Sequence, residues 1–320
     1  MRCKTVTAVI SVVILIVSIF AIGNISNANN DAYAQKLDKL VIVVQPIPRD
    51  RVATEAGELE RFFESRLNMD VEILFPDSNA AIVESMRFRH AHVALGVGPL
   101  VGAMIMNSTD TTKPLIVEMR SVFIEDEQIV RSYYYSYFIV LKDSPYNTME
   151  DLKGKRACFP SETSTSGFIM PMFTMVKKGY IKPIDSSKRP IDLPNQYFGE
   201  VIFAGGYAQC WEALKQGRVD VTVIAGDVPE KLYREAIENS KIIEKNGPNP
   251  SHVVLISKDL PKDVRKKMWY ALKDLNKEPE KVQKFVSAIF VKFGVKSEEA
   301  HLKPLMDALR ETGLDKVIKI

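Results

Sequence analysis

Ser161-Glu162-Thr163-Ser164-Thr165-Ser166-Gly167-Phe168-Ile169-Met170-Pro171 is the stretch on which the reading of this 320-residue chain turns. Five hydroxyl side chains crowd around one acid, then a glycine, then an apolar run. The strand-like Arg156-Ala157-Cys158-Phe159 precedes it, and the pattern after it opens a helix. A helix start leaves about four amide N–H groups without intrahelical partners and carries about half a positive charge. Ser and Thr hydroxyls add donors that rotate to fit. Such a segment suits a tetrahedral oxyanion held without Lys or Arg; the plain alternative is a polar N-cap on an ordinary helix. Glu162 is expected to point away, because it would repel an anion. Pro171 is expected to kink the helix, or to mark its first turns if Ser166 is the true cap.

Outward from this segment, strand and helix patterns alternate. Leu40–Val44 is a continuous apolar run, as in a strand buried on both faces. It ends at Gln45-Pro46-Ile47-Pro48. Residues 52–67 carry apolar positions at helical spacing. Val71–Phe75, Val93–Val97 and Pro114–Ser121 read as further strands, with helices from Ser78 and Gly98 between them. Tyr133–Leu141 is a long aromatic and β-branched strand that restarts the alternation. Arg156–Phe159, Val201–Phe203, Val219–Ile224 and Val253–Ser257 follow it, and residues 183–199 read as an exposed loop. From Asp263 on, the chain reads as helices. The fold class is therefore α/β: two lobes, each a mainly parallel sheet flanked by helices. Residues 35–135 with 252–320 are expected in lobe 1 and 136–251 in lobe 2.

Composition agrees with a globular protein, at 46% apolar and 26% charged residues. The net charge is +3, to which Arg2, Lys4 and Asp31 contribute +1, leaving about +2 for residues 35–320. Neither this balance nor any basic run favours nucleic acid. Arg2 and Lys4 precede an uncharged apolar stretch from Thr5 to Ile22, and Ala32-Tyr33-Ala34 follows. That is the layout of a signal segment over 1–34 cleaved after Ala34; an uncleaved anchor over residues 5–22 is the alternative. Both export the remainder. Cys158 and Cys210 show no framework spacing and read as separate small hydrophobes, with pairing left open. No metal-ligand spacing occurs. His90 and His92 read as a helix end running into a strand.

In open α/β sheets, ligands sit beyond the carboxyl ends of strands. Pro46–Pro48, Gly96–Pro99, Tyr133–Tyr137, Ser164–Ser166, Gly205-Gly206-Tyr207 and Ala225-Gly226-Asp227 all occupy such positions, and together they point to a cleft. Each also has a plain reading, as strand face, tight turn or helix cap. No nucleophile–base pattern stands out, so no catalytic residue, metal or cofactor is expected.

Thr163-Ser164-Thr165-Ser166-Gly167-Phe168-Ile169-Met170-Pro171 resembles the STSG-x-x-x-P segment of the phosphonate/phosphate/phosphite substrate-binding proteins of ABC importers. Glu84–Phe88, Phe138–Pro145, Glu212–Val221 and Lys258–Pro261 are similar to other segments of that family, in the same order, over roughly residues 38–275. The resemblance implies a type II periplasmic-binding fold whose two lobes close on ligand about a hinge. It implies that Ser164, Thr165 and Ser166 hold the oxyanion. It places a family tyrosine on Tyr134, and on Asp227 the acid that meets a ligand amine in aminophosphonate binders. A family histidine falls on Tyr207, a second amine-binding carboxylate on His252, and the A-x-x-A-Y-x-G-P stretch on Ala94–Pro99, which lacks the tyrosine. The oxyanion half of the site is thus kept and the substituent half changed. Phosphate, phosphite or a small phosphonate is favoured over an aminophosphonate, and a sulfonate stays open. The implied partners are the small oxyanion and an ABC permease, with the protein expected to be a monomer that is periplasmic or at the outer face of the cytoplasmic membrane. A sensory or scavenging module and an enzyme on the same fold are the other readings.

Overall fold

The structure, a computed structural model of the chain, describes residues 39–44, 49–285, 288–294 and 299–318. The export segment expected over residues 1–34 and the Gln45–Pro48 turn lie outside the described residues. Within them, no helix is long and apolar enough to cross a membrane.

The first half holds β1 (Lys39–Val44), α1 (Arg49–Leu67), β2 (Asp70–Leu74), α2 (Asn79–Arg87), β3 (Val93–Val97), α3 (Pro99–Ser108), β4 (Thr112–Ile124), β5 (Glu127–Arg131) and β6 (Tyr133–Leu141). There follow β7 (Arg156–Phe159), α4 (Met170–Lys177), β8 (Glu200–Phe203), α5 (Tyr207–Lys215), β9 (Val221–Ala225) and α6 (Glu230–Glu238). Last come β10 (Ser240–Pro250), β11 (Val253–Ser257), α7 (Lys262–Leu275), α8 (Pro279–Phe285), β12 (Phe290–Phe293) and α9 (Lys303–Thr312).

Two sheets result. The first runs β12-β4-β11-β3-β1-β2 with β5 on β4, and the second runs β10-β6-β9-β7-β8. β1 pairs in parallel with β2 and β3, and β7 with β8 and β9. Leu40, Ile42, Val43 and Val44 are fully buried, as a central strand covered on both faces requires. Elsewhere the sheets are antiparallel: β11 on β3 and β4, β12 and β5 on β4, and β6 on β9 and β10. The expected parallel character is therefore confined to the strands linked through helices. β6 and β11, where the chain passes directly between the sheets, run antiparallel to their neighbours, and β5 is the hairpin partner of β4. The chain passes from one sheet to the other twice, between β5 and β6 and between β10 and β11.

Four expectations are corrected. Residues 183–199 are not simply an exposed loop: Ile184, Leu193, Tyr197 and Phe198 are buried, and the Tyr197 hydroxyl donates to the Met149 carbonyl. The helical reading beyond Asp263 is broken by β12, whose Phe290 and Phe293 pack under β4. Residues 303–318, expected with lobe 1, lie against the second sheet. Leu305, Ala308, Leu309 and Leu314 join Phe138, Phe159 and Phe168 in one apolar cluster. Cys158 and Cys210 form a disulfide that ties the end of β7 to α5.

Candidate functional site

The hydroxyl-rich segment leaves β7 and turns at Ser164, whose Oγ accepts from the Gly167 amide at 3.0 Å. Ser164, not Ser166, is the N-cap. The next turn, Thr165–Ile169, is wide, and Met170 N–H reaches the Thr165 carbonyl. Pro171 explains the width. It has no N–H to donate, and its ring crowds the preceding carbonyl in a regular α-turn, so the chain widens instead of kinking. Gly167 is required by space: a Cβ there would stand 2.6 Å from Ser164 Oγ and 2.7 Å from Pro160 Cγ. The amides of Thr165 and Ser166 stand in a first turn, where a helix supplies no partners.

Two phenols converge on this turn. Tyr207, the first residue of α5, places its hydroxyl 2.8 Å from Ser166 Oγ and 3.4 Å from Ser164 Oγ. Tyr134, near the start of β6, donates to Ser166 Oγ at 3.2 Å. Burial holds both phenols far above their usual titration range, with the Asp227 charge adding to the effect. They are neutral donors at any physiological pH. The disulfide sits just behind, joining the strand that delivers the Ser/Thr turn to the helix that delivers Tyr207.

Asp227 follows β9. Gly226 brings it there by threading between β4 and β6: Phe123 N–H donates to the Gly226 carbonyl at 2.7 Å, and Gly226 N–H to the Tyr135 carbonyl at 2.9 Å. A Cβ on Gly226 would run into the Phe123 carbonyl. The Asp227 carboxylate then accepts from Arg120 of β4 at 3.0 Å, with side chains 16% and 6% exposed. This ion pair joins the two sheets. Opposite, His252 sits between β10 and β11 and donates from Nδ1 to the Gly96 carbonyl at 3.2 Å. Burial and the nearby Arg120 hold its pKa well below the ordinary histidine value.

Ser164, Thr165, Ser166, Tyr134, Tyr207, Asp227 and His252 line one cleft of about 260 Å³. All seven sequence-predicted site residues are thus brought together. The far wall is the start of α3, at Gly98 and Pro99, with Asn79 at the start of α2. Helix starts therefore face the cleft from both sheets, each with its positive end inward. Sequence reading missed Asn79 and Arg120 as neighbours of the site. Ser78, which caps α2 through the Ala81 amide, was legible as a helix start but not as a cleft wall. Among the described residues, no group of three or more His, Cys, Asp or Glu is placed to hold a metal ion. His92 lies away from the cleft: its Nδ1 accepts from the Val41 amide at 3.0 Å, and burial lowers its pKa.

A family model described as "ABC transporter, phosphonate, periplasmic substrate-binding protein" matches residues 42–300. Among curated proteins, the chain is 26% identical over 225 residues to the phosphonates-binding periplasmic protein of Escherichia coli (strain K12). That match covers 68% of this chain and 60% of the relative, so the chain spans under two thirds of the relative's length. The structure is similar to that of XAC2383 from Xanthomonas citri bound to ATP, with TM-score 0.66 and 14% identity over 88% of this chain and 100% of that one. It is also similar to a binding-protein component of an ABC phosphonate transporter from Pseudomonas aeruginosa, with TM-score 0.57 and 17% identity over 88% and 90%. A further similar structure is that of PhnD1 from Prochlorococcus marinus (MIT 9301) in complex with methylphosphonate, with TM-score 0.57 and 17% identity over 88% and 99%. At such identities the structural likeness shows the fold.

Proposed function

The chain belongs to the family of periplasmic phosphonate substrate-binding proteins of ABC transporters, and from that premise we propose that it captures a small phosphorus oxyanion outside the cytoplasm and delivers it to a membrane permease. The observation that carries this reading is the neutral donor set. The Ser164–Ser166 turn and the Tyr134 and Tyr207 phenols meet in one cleft, where Asp227, the only formally charged residue among the described residues that line it, is held by Arg120. An oxyanion finds hydroxyls, first-turn amides and inward helix starts there. Among the described residues lining the cleft, a ligand ammonium finds no uncommitted carboxylate. The ligand we assign is therefore phosphate, phosphite or an alkylphosphonate such as methylphosphonate, not an aminophosphonate.

The cleft volume supports a small ligand. About 260 Å³ lies below the ~300–1,000 Å³ usual for drug-sized molecules. One wall comes from the first sheet's helices and the other from the second sheet's. Capture is then a hinge closure of lobe 1, residues 35–135 and 252–302, against lobe 2, residues 136–251, which also carries residues 303–318. Calorimetry of residues 35–320 with phosphate, phosphite, methylphosphonate, aminoethylphosphonate and taurine tests the reading. Heat is expected with one or more of the first three. No heat from those three, with the protein shown to be folded, refutes it.

A further inference from the structure

Glu118 lies in β4 directly behind the cleft and is fully buried, and neither of its carboxyl oxygens has a hydrogen-bond partner. Its backbone, by contrast, is engaged: the N–H donates to the His252 carbonyl at 2.9 Å, and the carbonyl accepts from the Ser251 hydroxyl. A buried carboxyl with neither oxygen satisfied is costly to retain and calls for an explanation. The nearby base is His252, whose Nδ1 stands 3.9 Å from Glu118 Oε2. Because Nδ1 also faces the Gly96 carbonyl at 3.2 Å, it carries a proton in either charge state of the ring. The other nitrogen, Nε2, lies on the cleft side, 3.9 Å from where a Cβ on Gly98 would stand. The ring therefore turns one nitrogen inward to the carboxyl and the other toward the ligand space.

Resting on the oxyanion reading above, we propose that Glu118 is the positioning counter-charge of His252, and that a doubly charged ligand is bound together with one proton on that ring. His252 Nε2 gains the proton and donates it to a ligand oxygen, while the Glu118 carboxylate balances the imidazolium from behind. The only bond formed is N–H. When Glu118 is already ionised, the proton comes from solvent. When Glu118 is protonated, its own proton leaves as the ring gains one, and net uptake vanishes.

The surrounding charges fit this assignment. Arg120 is two residues along the same face of β4 and opposes ionisation of His252, but its guanidinium is held by Asp227 at 3.0 Å. Burial pushes the Glu118 carboxyl up to about 7 against the pull of Arg120. Tyr134 and Tyr207 stay neutral, and His301 contacts the Ser251 carbonyl through Nε2 at 3.0 Å. Lys292 of β12 is registered with Met119, on the opposite face of β4, and Arg131 of β5 with Arg120. Near neutral pH the empty pair thus holds a neutral ring over a carboxyl poised to change charge.

The test is calorimetry of methylphosphonate binding at pH 8 and pH 6, in buffers of different ionisation enthalpy, for the wild-type protein and for Glu118→Gln. Subtracting the two proteins cancels the ligand's own ionisation. The difference is expected to approach about one proton taken up per ligand at pH 8 and to fall well below that at pH 6. Affinity in Glu118→Gln should fall about tenfold at pH 8, the scale of one charge-assisted contact. If Glu118→Gln does not melt cooperatively, His252→Gln supplies the same subtraction. Binding with equal proton uptake in wild type and variant overturns the role of Glu118 and leaves the oxyanion reading standing. No binding of methylphosphonate, phosphate or phosphite by wild type overturns both.

Discussion

Replacing Arg120 by Met should convert the cleft from one that rejects ligand cations into one that attracts them. In the wild type, the Asp227 carboxylate faces the cleft but is held at 3.0 Å by a guanidinium whose side chain is 6% exposed. Methionine keeps most of the apolar stem and removes the charge. The carboxylate is then left without its partner, and breaking such a buried pair costs about 3–5 kcal/mol of stability, read as a shift in the urea midpoint. For an ammonium settling about 4 Å from the freed carboxylate, an effective dielectric near 20 gives about 4 kcal/mol of attraction. Desolvation takes back roughly half, leaving about 2 kcal/mol, or roughly thirtyfold. The assay is the ratio of dissociation constants for aminoethylphosphonate and methylphosphonate, measured by calorimetry. The two ligands share a phosphoryl head, so contacts to the Ser164–Ser166 turn cancel in the ratio. Arg120→Met should move that ratio about thirtyfold toward the amine, and adding Asp227→Asn should return it. A ratio unchanged by Arg120→Met would mean that Asp227 does not read the substituent, and the assignment of amine-free ligands would fall with it.

Other outcomes follow from the same geometry. Ser166→Ala removes the hydroxyl on which both phenols converge and should weaken oxyanion binding by about 1.5–3 kcal/mol; Tyr207→Phe should cost less, since Tyr134 remains. Titration calorimetry on the two variants checks both. Glu118 has its carboxyl raised from 4.5 to about 7 in the fold, so the native state holds a proton that the unfolded chain gives up. Wild type should therefore lose about 3 kcal/mol relative to Glu118→Gln as pH rises from about 4.5 through about 7, levelling off about one unit above that, as followed by urea unfolding across pH. Removing the Cys158–Cys210 disulfide, which spans 52 residues of sequence, with the double alanine variant should cost about 4 kcal/mol, visible as a lower melting temperature. It should also weaken binding, because the bond ties the Ser/Thr turn to Tyr207.

Much of the fold was legible because its signals are local. The β-branched runs at Leu40–Val44 and Val253–Ser257 mark buried strands within one residue of their observed limits. The Ser/Thr turn announces itself by composition, and Gly205-Gly206 before Tyr207 marks a helix start. What escaped depends on distant partners. β10 is rich in Lys, Glu, Asn, Gly and Pro and carries no apolar alternation; it is a strand because it pairs along β6. The buried residues between Ile184 and Phe198 follow neither a helical nor a strand period. Glu118 and Arg120 alternate with apolar residues in β4, the usual sign of a wetted face, yet both are buried. Only the fold shows that Asp227, 107 residues away, is the partner of Arg120.

Neutral hydroxyls are expected to hold the oxyanion while Arg120 stays on Asp227. A crystal structure of the protein grown with methylphosphonate tests it most directly. The phosphoryl oxygens should lie about 2.7–3.2 Å from donors of Thr165, Ser166 and Tyr207, with the Arg120–Asp227 pair intact. A phosphoryl group found elsewhere, or an Arg120 swung away from Asp227 to grip the anion itself, would contradict it.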